Sequence, residues 1–86
     1  PKKIEVGGIR IIPEEDQMDP ELLILIATNI DNKEIELNVI EKSKTIQSVI
    51  LRPSKNFNIY LEGGNTYFIE IFNDAKQTPI ELELDI

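Results

Sequence analysis

The sequence predicts an all-β fold, an antiparallel sandwich of about seven strands in two sheets. Three observations point there. Apolar residues recur at every second position in segment after segment, the period of a strand with one buried face. Turn-forming residues (Pro13 and Pro20, Asp31-Asn32, Lys42-Ser43, Pro53, Gly63-Gly64, Asn73-Asp74) interrupt the chain at nearly regular intervals. No segment carries the 3.6-residue apolar period of a helix.

The first strand is expected over residues 3–12. Ile4 and Val6 alternate up to Gly7-Gly8, then Ile9 and Ile11 resume on the other parity. A glycine pair with a change of phase predicts a bulge or a strand that switches sheets. Residues 13–20 form an acidic loop between two prolines. Residues 21–30 are apolar on both parities, Leu22, Ile24 and Ile26 on one, Leu23, Leu25 and Ala27 on the other. Such a run predicts a central strand covered on both faces. Asp31-Asn32-Lys33-Glu34 reads as a tight hairpin turn with Ile30 opposite Ile35. Residues 34–40 alternate cleanly, with Ile35, Leu37 and Val39 inward and Glu34, Glu36 and Asn38 outward. Lys42-Ser43 makes the next reversal. Residues 45–51 are less regular, Ile46 and Ile50 on one parity, Val49 and Leu51 on the other, and Pro53 closes the strand. The last strand, 78–86, places Ile80, Leu82, Leu84 and Ile86 inward and Glu81, Glu83 and Asp85 outward, in phase when Ile71 pairs with Ile80.

Residues 57–74 hold two strands around a glycine corner. Phe57, Ile59 and Leu61 alternate before it and Tyr67, Ile69 and Ile71 after it. A two-residue Gly63-Gly64 hairpin would pair Phe57 with Glu70 and put a carboxylate on the apolar face, because directly paired residues share a face. A three-residue loop, pairing Ile59 with Tyr67, keeps the faces consistent. So does a crossover between two sheets.

The segment Leu61-Glu62-Gly63-Gly64-Asn65-Thr66-Tyr67 resembles the tyrosine corner of fibronectin type III and other immunoglobulin-like domains. That resemblance covers this segment and the strand count. It departs from the family in lacking tryptophan and the cysteine pair, and in having Gly63 where proline is usual. It implies an immunoglobulin-like sandwich with Tyr67 buried and its hydroxyl bonded upstream. The tight hairpin read at 31–34 runs against that topology, in which the second and third strands lie in different sheets, so a meander remains the alternative. The end of the chain, 67–86, is similar to the last two strands of Golgi-dynamics (GOLD) domains, an aromatic strand followed by Phe72-Asn73.

With 86 residues the chain is one domain, 1–86, with room for a single modest core. A composition 41% hydrophobic and 29% charged is that of a folded protein. Sixteen acidic against nine basic residues leave a net charge of -7, which argues against nucleic acid or an anionic membrane as partner. The longest apolar run, 22–27, is too short to cross a bilayer. Without cysteine there is no disulfide to mark a compartment. A first residue of Pro1 leads us to expect a chain trimmed or excised from something longer, and an Ile- and Glu-rich composition would suit a thermophile.

The chemistry is restricted. The chain has no His and no Cys, so the usual general base, the thiol nucleophile and the ligands of structural zinc are missing. Ser43, Ser48 and Ser54 read as turn or strand residues. Glu81 and Glu83 lie about 7 Å apart on one strand face, where hydrolytic carboxylates need a cleft. Gly63-Gly64 lacks the following Lys-Ser or Lys-Thr of a phosphate loop. The acidic loop residues Glu14, Glu15, Asp16 and Asp19 lack EF-hand spacing and read as solvated rather than as a calcium site. We expect no enzyme, no cofactor and no metal. A contact surface is the better lead: Tyr60, Phe68 and Phe72 take the parity opposite to the core, as Leu23 and Leu25 do on their strand. The expected function is a non-catalytic protein-interaction or structural module, self-associating or bound to a protein partner, in a surface, adhesion or virion assembly, with a secreted or a cytosolic home both open. Carbohydrate binding through the aromatics, or the trafficking or adaptor role implied by the GOLD-like ending, are the alternatives.

Overall fold

The computed structural model describes residues 3–15, 22–73 and 79–85. They form eight strands: β1 (Ile4–Val6), β2 (Ile9–Pro13), β3 (Leu22–Asn29), β4 (Ile35–Glu41), β5 (Lys44–Leu51), β6 (Asn56–Glu62), β7 (Thr66–Phe72) and β8 (Ile80–Asp85). Two four-stranded sheets result, β1-β2-β3-β6 and β5-β4-β7-β8, with every pairing antiparallel. Their inner faces share one core, in which Ile9, Ile11, Ala27, Ile59 and Leu61 of the first sheet meet Ile35, Leu37, Val39, Ile69 and Ile71 of the second. The sandwich expected from the alternation is present.

The eighth strand comes from the glycine pair. Gly7 and Gly8, at φ 58° and 82°, form the two-residue turn of a hairpin in which Val6 pairs with Ile9. Two successive positive φ angles are the signature of a type I′ turn. The phase change is therefore a reversal, neither a bulge nor a switch of sheets. Both positions are also crowded. A Cβ on Gly7 would sit 2.8 Å from Ile80 Cδ1, and one on Gly8 equally close to Asn73, Asp31 and Ile35. The hairpin tip is thus pressed against the second sheet, where a side chain would not fit.

One further expectation is corrected, and one open alternative is decided. Residues 31–34 are no hairpin: β3 and β4 lie in different sheets, and the turn carries the chain across. Sequence could not separate the two outcomes because a tight turn and a crossover keep the same faces apolar. For the same reason β6 and β7 are not paired through a three-residue loop. They too lie in different sheets, so the crossover reading of the glycine corner is the one observed.

The remaining turns and strands follow the pattern. Lys42 and Ser43, at φ 51° and 65°, close the β4–β5 hairpin with Glu41 opposite Lys44. The irregularity of β5 is a bulge: Val39 faces Gln47 and Ile40 faces Thr45, leaving Ile46 as the extra residue. β8 pairs with β7 without interruption from Thr66–Asp85 to Ile71–Ile80. Pro13 is tolerated inside β2 because Glu14 N–H donates to the Ile24 carbonyl, 2.8 Å. The alternation of antiparallel bonds then turns the proline nitrogen away from β3, beyond the end of short β1.

Candidate functional site

The outward aromatics divide between the two outer faces. On the first sheet, Tyr60 is 51% exposed and stands opposite Ile24. Its backbone is held from the other sheet: Gln47 on β5 donates from Nε2 to the Tyr60 carbonyl at 3.0 Å and accepts a long bond, 3.5 Å, from the Tyr60 N–H. One side-chain amide thus links the β5 and β6 edges. On the second sheet, Phe68 and Phe72 are half-buried and face outward from β7. Phe68 lies between Ile40 and Glu83, and Phe72 beside Glu36. Each phenylalanine lines an open depression, Phe68 with Lys42, Gly64 and Asn65, Phe72 with Glu34, Glu36 and Ile50.

Leu23 and Leu25 do not belong to this group. Leu25 is buried in the core and Leu23 packs against it. The outer parity of β3 is Leu22, Ile24 and Ile26, all half-buried. Both parities being apolar, the strand alone could not say which faced inward. Nor does β3 have two covered faces; it is central in its sheet but belongs to an outer layer. Sequence reasoning therefore missed a contiguous apolar spot in which Ile12 pairs with Ile26, and Ile24 with Tyr60.

The two outer faces differ in charge. On the first sheet Glu5 is engaged by Arg10 at 3.0 Å and Lys3 at 3.6 Å. The Arg10 hydrogen bond, then the Lys3 charge, hold its carboxyl below the usual carboxylate range. On the second sheet Glu36, Glu70, Glu81, Glu83 and Asp85 make no ion pair among the described residues. Glu70 even stands directly opposite Glu81, an arrangement that destabilises a sheet.

Two polar constructions lock the sandwich. Tyr67 is 2% exposed, and its Oη accepts from Glu62 N–H at 2.9 Å and from Asn65 Nδ2 at 3.4 Å. At the opposite end Asn29, fully buried, donates to the Lys33 and Leu51 carbonyls and accepts from Asp31 N–H, each at 2.8 Å. Asn73 extends this knot by donating to Gly7 O at 2.6 Å and Asp31 Oδ2 at 3.1 Å. The Asn73 bond, with that from Asn32 N–H and the charge of Lys33, lowers the Asp31 carboxyl below its ordinary value.

No family model, curated protein or solved structure matches this chain. The site must be judged on its own chemistry. Ser43 and Ser54 sit at positive-φ turn positions, and Ser48 donates to Asn38 Oδ1 on a strand face. Among the described residues no group of acidic side chains could hold a metal ion. Asp16 and Asp19 of the acidic loop lie outside the described residues. Among the described residues no helix is long and apolar enough to cross a membrane.

Proposed function

We propose that the chain is an immunoglobulin-like, non-catalytic contact module that meets a protein partner, or a second copy of itself, through the outer face of the second sheet. The observation carrying this reading is the outward pair Phe68 and Phe72 on central strand β7, each lining an open depression with no further layer over it among the described residues. Aromatic side chains contribute large contact areas at little entropic cost, and uncovered apolar faces of sheets serve as contact surfaces. The immunoglobulin-like assignment is supported by two features: the buried Tyr67 hydroxyl bonded back to Glu62, and the crossings between sheets at β3–β4 and β6–β7. A place in a surface, adhesion or virion assembly suits such a module.

The test is the double variant Phe68→Ser, Phe72→Ser, followed by sedimentation and chemical denaturation. Loss of association with an unchanged unfolding midpoint is expected. A double variant that unfolds would return both rings to the core and remove the proposed surface.

A further inference from the structure

The four edges of the two sheets are not equivalent. β1 has only three residues. β6 is met at Tyr60 by the Gln47 amide, and β5 is interrupted by the bulge at Ile46. Short, bulged or covered edges resist pairing with further strands. Among the described residues β8 has none of these protections. It runs six residues in unbroken register with β7, and among the described residues no strand bonds its other side.

Its inner side chains are also incompletely covered. Ile80 is 37% exposed and Leu82 and Leu84 are half-buried, whereas their β7 neighbours Ile71, Ile69 and Tyr67 are buried. The core stops one strand short of a seal. On the outer side of the same strand, Glu81, Glu83 and Asp85 are all exposed. Directly paired residues share a face, so any strand added to β8 sets alternate side chains beside these carboxylates. Two copies pairing through β8 would oppose carboxylate to carboxylate, adding to the cost already carried by Glu70 opposite Glu81, so a basic strand is the favoured occupant over a second copy.

We infer that the free edge of β8 receives an extended segment of another protein in which apolar residues alternate with lysine or arginine. Its backbone completes the hydrogen bonding of the edge, its apolar side chains extend the core beside Ile80, Leu82 and Leu84, and its basic side chains face Glu81, Glu83 and Asp85. This edge adjoins the Phe68–Phe72 face, since Glu83 pairs with Phe68, but its backbone hydrogen bonding does not depend on that face.

A blocked peptide of about ten residues alternating valine and lysine is the probe, and the same peptide with glutamate for lysine is the control. Isotope-labelled protein is titrated with each while amide hydrogen exchange is followed. The valine–lysine peptide should bind and slow exchange at alternate residues of β8, and the control should not. Glu81→Lys with Glu83→Lys, both at exposed positions, should weaken the valine–lysine peptide by about tenfold or more and admit the control. Binding without protection of β8 amides would reduce the effect to attraction by an acidic surface and overturn the inference. So would no binding, or equal binding by the charge-reversed variant. The exchange pattern of the wild-type chain decides the matter even if that variant does not fold.

Discussion

Tyr67 shows how one hydroxyl holds a corner. Its ring fills the end of the core, while its oxygen serves the Glu62 N–H where the chain leaves β6 for the opposite sheet. Tyr67→Phe keeps the ring and removes the acceptor, so it should cost about 1 kcal/mol in urea denaturation. A neutral result would mean that water replaces the hydroxyl at the corner. Asp31 acts through its charge. Because its folded pKa lies below the ordinary 3.8, the stability it contributes is fully present above that value. It is lost as pH falls through the lowered one. Wild-type stability should therefore drop more steeply below about pH 4 than that of Asp31→Asn, measured as denaturation midpoints across the acid range. Parallel curves would show that the Asn73 contact does not bias protonation.

Among the described elements, the β4–β5 hairpin concentrates local strain at two successive positions. Lys42 and Ser43 both adopt the left-handed region without a glycine or asparagine. The double change Lys42→Asn, Ser43→Gly supplies the residues that a type I′ turn favours and should raise stability by about 1 kcal/mol. An unchanged or lower melting temperature would show that the present pair already satisfies the turn. The strands that sequence described well share one property: the outward parity of each carries acidic or amide residues, Glu36 and Asn38 in β4, Glu70 in β7, Glu81 and Glu83 in β8. β4, β7 and β8 place their residues as expected, down to the pairing of Ile71 with Ile80. β3, with two apolar parities, was oriented wrongly. The bulge of β5 was visible only as a disturbed alternation.

For the whole molecule, the decisive residue is Asn29. It is buried at one end of the sandwich, where the β3–β4 crossing, the end of β5 and the return toward β6 converge on its side chain and backbone. Asn29→Ala would remove three buried or part-buried hydrogen bonds at once. A loss of about 3 kcal/mol is expected in chemical denaturation. A loss near that of an ordinary surface change would show that water enters and restores those bonds. Nothing in the sequence singled out Asn29, because an asparagine near a turn is usually a turn residue. Its role depends on carbonyls from positions 33 and 51, the latter 22 residues away.

By itself the sequence determined the strand class, most of the core and the acidic outer stripe of β8. Those follow from a two-residue side-chain period, which is a local property of the backbone. It also singled out Tyr67, since Leu61 and the glycines stand close to it along the chain. Only the tertiary structure decided which turns are hairpins and which are crossings between sheets, which face of β3 is buried, and which edge has no partner strand among the described residues. Each of these depends on where a second layer lies, and side-chain alternation is the same whether the next strand pairs alongside or packs opposite.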